Sequence, residues 1–118
     1  MFVLKFTGHA VADIKSVIPK NLKGPLKRAL LDTVAKDPVG CSRALKGDLE
    51  GYQSLKWGEY RVVYKVFDDL RAIAVVGVGL RSPESTQNIY RKLETLAKTG
   101  ELAQGVLFSL RGFTKESP

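Results

Sequence analysis

Apolar and polar positions alternate most regularly between residues 55 and 66. Within 60–67, Tyr60, Val62, Tyr64 and Val66 fall on one side of an extended chain, and Arg61, Val63, Lys65 and Phe67 fall on the other, because strand side chains alternate with a period of two. This β-branched and aromatic run, with similar runs at 52–57 and 71–80, predicts three strands. Trp57-Gly58-Glu59 and Asp68-Asp69-Leu70 supply the turns between them. Connections this short predict a meander of antiparallel neighbours.

Elsewhere the periods change. Phe2, Leu4 and Phe6 alternate and predict an opening strand over 2–6. After Gly8, "HAVADIKSVI" predicts a short helix ended by Pro19. A second helix is predicted over 21–36, with Asn21 as N-cap, Leu22, Leu26, Leu30 and Val34 recurring every four residues, and Pro38 as the stop. Residues 39–51 hold three glycines and no sustained period, so a loop leading into the sheet is expected. A third helix starts at Ser82 as N-cap with Pro83 at its first position, carries Ile89, Leu93, Leu96 and Ala97 as its apolar stripe, and is capped by Gly100. In the remainder, "VLFSL" either adds a strand or docks on the body, and the last five residues are expected to fray. The order strand, helix, helix, three strands, helix predicts an α+β fold: a mostly antiparallel sheet of about four strands with two N-terminal helices packed on one face and a C-terminal helix. Residues 1–100 form the single domain, and 101–118 are a partly flexible C-terminal extension of it.

Composition narrows the function classes. A chain of 118 residues suits one domain and one site. No run approaches the roughly 20 apolar residues that span a bilayer, and the first residues lack the pattern of a signal peptide. The expectation is a cytoplasmic protein with no membrane contact. Cys41 is the single cysteine, which excludes an internal disulfide, and no His and Cys cluster has metal-ligand spacing. No cofactor is expected. Charge is the strongest bulk signal: 19 Lys and Arg against 12 Asp and Glu leave a net +7, concentrated before residue 100. A polyanionic partner, nucleic acid or an acidic protein, fits that excess.

The predicted strands bring some of those cations together. A turn centred on Asp69 sets Gly77 opposite Arg61 and places Gly77, Gly79 and Arg81 on the same side, the face not needed to hold the helices. Two bare glycines beside two arginines would make a floor for a phosphate chain, since glycine permits close backbone approach and guanidinium groups bind phosphate oxygens in pairs. The same pattern is compatible with solvated strand arginines paired to carboxylates and glycines that merely fit packing. A one-residue change of register separates the two.

These stretches resemble the RelE/ParE superfamily of bacterial toxins. The family's usual pattern is a Lys-Leu-x-Gly approach, a Gly-x-Tyr-Arg-x-x-Tyr strand and a Val-Gly-x-Arg strand end. Here they read Leu45-Lys46-Gly47, Gly58-Glu59-Tyr60-Arg61-Val62-Val63-Tyr64 and Val78-Gly79-Leu80-Arg81, within a resemblance covering about residues 2–98. The resemblance implies the toxin of a toxin–antitoxin pair. It implies a ribosome-dependent, metal-independent endoribonuclease that cleaves messenger RNA through attack of a 2′-hydroxyl on the adjacent phosphate. By position in the motifs, Arg61 and Arg81 bind phosphate and stabilise the transition state. Lys56, lying nearer the turn than the family's lysines, supplies charge or takes a proton, and Tyr90, further from Arg81 than is usual, is the candidate late tyrosine. Lys46, Lys65, Ser54 and Trp57 are the candidate RNA contacts, with Glu59 a further candidate base. His9 matches no family position. Partners are the antitoxin, through an acidic or folding-on-binding segment, and the ribosome with its message. The incomplete set of bases keeps open a ParE-like inhibitor of DNA gyrase that acts by binding, or an inactive binding module.

Overall fold

A computed structural model describes residues 1–81 and 88–111. Along the chain come β1 (Val3–Phe6), α1 (Gly8–Val17), α2 (Lys20–Ala29) continuing into a π-helical turn (Leu30–Val34), β2 (Arg43–Ala44) and a 3-10 turn (Gly47–Leu49). β3 (Gln53–Trp57), β4 (Tyr60–Phe67) and β5 (Ala72–Leu80) follow, then α3 (Ile89–Thr99) and α4 (Glu101–Ser109). The fold is α+β, with one five-stranded sheet in the order β1-β5-β4-β3-β2. β1 runs parallel to β5, and every other pairing is antiparallel.

The three central strands form where the β-branched and aromatic runs and the turns between them predict. The fifth strand, β2, lies inside the predicted loop of 39–51, pairing Arg43 with Ser54 and Ala44 with Gln53. Both its residues are exposed, so it leaves no apolar alternation to detect.

The helices depart from expectation at their ends. Thr7 caps α1, its hydroxyl accepting from the Ala10 N–H at 3.2 Å. α2 starts directly after Pro19, so Asn21 lies in the first turn and is not the N-cap. Its stripe of Leu26, Leu30 and Val34 is buried throughout, and the last turn widens as the Ala35 N–H donates to the Leu30 carbonyl five residues back, at 2.8 Å. "VLFSL" belongs to α4, where Leu102, Val106 and Leu110 recur at helical spacing and are buried. Five residues, four of them apolar, do not distinguish the two periods when read alone. Ser82 and Pro83, expected to start the third helix, and the final residues 112–118 lie outside the described residues. Within them, Asn88 caps α3 and Gly100, at φ 86°, closes it and turns the chain into α4.

Two cores result, one on each face of the sheet. Tyr60, Val62 and Tyr64 of β4 pack with Ala10 of α1 and Leu26 and Leu30 of α2 and its extension. Val63 and Val76 pack on the other face with Ile89 and Leu93 of α3 and Leu102 and Val106 of α4. The face carrying Arg61, expected to be free of helices, is therefore closed along most of its length and open only at the Arg61 end. Among the described residues no helix is long and apolar enough to cross a membrane.

The β4–β5 register also corrects the expectation. Arg61 faces Gly79, not Gly77, because the pairing shifts between Val63 and Tyr64: Val63 pairs with Gly77 but Tyr64 with Val75. The unpaired Val76 is a β-bulge, one extra residue that no turn-based count foresees.

Candidate functional site

At the open end of that face lies a cavity of about 320 Å³ lined by Arg43, Ser54, Lys56, Arg61, Arg81 and Tyr90. Strand pairing assembles most of it. Arg43 of β2 lies beside Ser54 of β3, Lys56 of β3 beside Arg61 of β4, and Arg61 beside Gly79, two residues before Arg81. Tyr90 comes from the first turn of α3. Three guanidinium groups and one ammonium thus converge, with no carboxylate among the described residues that line the cavity.

The Lys56–Arg61 pairing in this arrangement is unfavourable for the sheet, because like charges directly opposite on neighbouring strands are destabilising. Guanidinium remains protonated in proteins. The cavity is therefore a permanent concentration of positive charge, suited to an anion with several oxygens.

Individual side chains are oriented by their neighbours. Arg61 Nη1 donates to the Tyr60 carbonyl at 2.9 Å and to the Gly58 carbonyl at 3.3 Å, which ties the guanidinium to the β3–β4 turn. Gly58 allows that turn, its φ of 61° lying in the left-handed region. The Tyr90 hydroxyl and Ser54 Oγ lie 2.7 Å apart, and the Tyr90 N–H donates to Asn88 Oδ1 at 2.8 Å. Tyr90 therefore faces the cavity from a capped helix start.

Of the residues singled out from sequence, Arg61, Arg81, Lys56, Tyr90 and Ser54 line the cavity together, and Lys46, Lys65 and Trp57 do not. Lys65 shares the face of Arg61 but lies further along it, its ammonium 5.3 Å from the Tyr52 ring centre and 5.6 Å from that of Phe67, within cation–π range. Lys46 is exposed before the 3-10 turn. Trp57 packs on the opposite core, its ring 5.9 Å from that of Tyr60, because alternation turns it away from Lys56. His9 sits in the first turn of α1, and Glu59 is exposed in the β3–β4 turn. Neither lines the cavity.

The glycine floor is not present. A Cβ on Gly77 would lie 3.1 Å from Ile89 Cδ1 and 3.2 Å from both Leu93 δ-carbons, and one on Gly79 would lie 3.1 Å from Ile89 Cβ. Both glycines admit α3 to the sheet, so the cavity's charge comes from side chains alone. Arg43 is the lining residue that sequence reasoning missed. It sits on the exposed two-residue β2, and only its pairing with Ser54 brings it to the site.

Tyr64 marks the opposite face. Its hydroxyl donates to the Pro38 carbonyl at 2.6 Å, and burial pushes its pKa well above the usual phenol value. It anchors the loop after α2 and takes no part in the cavity.

No family model matches the chain. In sequence it is 26% identical over 82 residues to Toxin RelE of Mycobacterium tuberculosis, covering 70% of this chain and 84% of that protein. It is 25% identical over 91 residues to Toxin RelG of the same organism, covering 77% and 98%. In fold it is similar to the toxin–antitoxin complex RelBE2 from Mycobacterium tuberculosis, with a TM-score of 0.63, 21% identity, and coverage of 68% of this chain and 98% of the matched one.

Proposed function

We propose that this chain, which belongs to the RelE-like toxin superfamily, is the toxin of a toxin–antitoxin pair and cleaves messenger RNA at its cationic cavity. The observation that carries this is the convergence of Arg43, Lys56, Arg61 and Arg81 beside the Tyr90–Ser54 hydroxyl pair, with no carboxylate among the described lining residues.

The reaction is the one the family resemblance implies, and the lining groups suit it. The 2′-oxygen of a ribose attacks the adjacent phosphorus, the P–O5′ bond breaks, and the products are a cyclic phosphate and a free 5′-hydroxyl. One proton leaves the 2′-oxygen and one reaches the departing 5′-oxygen. Arg61 and Arg81 hold the phosphate oxygens and offset the charge that grows on them at the transition state. Arg43 extends the same clamp from the far strand. Lys56 and Tyr90 are the lining groups able to exchange a proton with the two ribose oxygens. An acidic segment of the antitoxin neutralises the protein by covering these cations. The ribosome presents the message, and the cytoplasm is the site of action.

Among the described residues the lining holds no imidazole or carboxylate, which favours one second reading, a ParE-like protein that binds DNA gyrase without chemistry. One experiment separates the two. Wild-type chain and the Arg61→Ala, Arg81→Ala double variant are induced in a bacterial host, and new 5′ ends are mapped on ribosome-bound messages. Codon-phased cuts with wild type alone support the nuclease. Growth arrest with intact messages and damaged DNA overturns it in favour of gyrase.

A further inference from the structure

Asp13 lies outside the cavity, yet its carboxylate touches both of the elements that close it. It sits in the middle of α1, is 4% exposed, and is the one charged side chain among the buried described residues. Pairing of β1 with β5 ends at Phe6 and Val75, and α1 serves the edge of β5 beyond that point. The Thr7 hydroxyl donates to the Val76 carbonyl at 3.4 Å, and the Val78 N–H donates to Asp13 Oδ2 at 3.1 Å. The other oxygen, Oδ1, forms an ion pair with the Lys92 ammonium of α3. α1 belongs to the core on one face and α3 to the core on the other, so this pair reaches around the sheet edge to join them.

We propose that Asp13 is a positioning residue for the cavity: by holding Val78 with one oxygen and Lys92 with the other, it sets the end of β5 against the start of α3. Val78 lies three residues before Arg81 and Lys92 two after Tyr90, so the same contact fixes the span between those two side chains. The apolar contacts of Ile89 and Leu93 hold α3 down but are non-directional. Charge-assisted hydrogen bonds are directional and roughly twice as strong as neutral ones. Displacing a reacting group by about 1 Å can cost about a hundredfold in rate, so the register of α3 matters to the chemistry. The inference rests on taking the cavity as the reaction site.

Asp13→Asn is the decisive variant. It keeps an oxygen for the Val78 N–H and removes the charge, while Lys92, whose side chain is 42% exposed, can turn to water. The Asp13→Asn, Lys92→Met double variant removes both charges and serves if the single variant does not fold. Each is measured for thermal unfolding, for kcat and KM in cleavage of a ribosome-bound message, and for the ring resonances of Tyr90 in tyrosine-labelled protein, assigned with Tyr90→Phe. The expected result is a folded protein with kcat lowered by about 10- to 100-fold, KM close to that of wild type, and a displaced Tyr90 signal. A Tyr90 signal unmoved in a folded variant overturns the proposal, whether kcat is preserved or falls only in step with thermal stability. If the wild type cleaves nothing, the nuclease reading fails alone, and the Tyr90 signal still decides what Asp13 does.

Discussion

Lys56 and Arg61 face each other across β3 and β4, a pairing a strand would avoid if stability alone were selected. Lys56→Gln should therefore raise unfolding free energy slightly, by up to about 0.5 kcal/mol given the solvent exposure of Lys56. The same change should lower affinity for a non-cleavable 2′-O-methyl message on the ribosome. Urea denaturation and a binding titration check the two halves, and a variant that is less stable would show that Lys56 supports the strand. Tyr64 gives a residue-scale prediction on the other face. Its folded pKa is raised chiefly by burial, so above pH 10 the unfolded chain ionises first and stability falls as pH rises. Tyr64→Phe should remove part of that alkaline slope in denaturation series between pH 8 and roughly pH 11, the range around an ordinary phenol's titration.

At the scale of elements, 60–67 was legible by its alternation, and 53–57 and 72–80 by short β-branched and apolar runs bounded by turn residues. β2 was not, having two exposed residues, and Arg43 went unnoticed with it. The bulge at Val76 had a subtler effect. A count from the Asp69 turn puts Gly77 opposite Arg61, and one extra residue moves Gly79 there instead. Both glycines are on the expected face, but their role is to seat α3. Gly79→Ala should accordingly act through α3, because its new methyl meets Ile89 Cβ, which cannot swing away, whereas Gly77→Ala meets the mobile ends of Ile89 and Leu93. The expected cost is about 1–3 kcal/mol for Gly79→Ala and less for Gly77→Ala, the range for forcing volume into a packed core. Equal losses at the two positions, read by thermal unfolding, would contradict this account of the packing.

Across the whole molecule, a net charge of +7 says that anions are attracted but not where they bind. Strand pairing supplies the location: of 19 basic residues, four converge on one cavity, and three of those four, Lys56, Arg61 and Arg81, were recoverable from sequence through motif and alternation. Local and diffuse attraction are separable by salt. Each phosphate contact to a single strand adds about 0.7 to the slope of log affinity against log salt. If Arg61 and Arg81 together neutralise the scissile phosphate, the Arg61→Ala, Arg81→Ala variant should lose about 0.7 from the slope measured with the 2′-O-methyl message on the ribosome. Replacing two cations that do not line the cavity, such as Lys20 at the start of α2 and Lys36 beyond its π-helical extension, should change the slope much less. The ribosome adds its own charge to the background in every case, so the difference between variants is the informative quantity. Equal slopes for the cavity variant and wild type would mean that the two arginines do not neutralise phosphate, and would leave their convergence to be explained by an acidic protein partner.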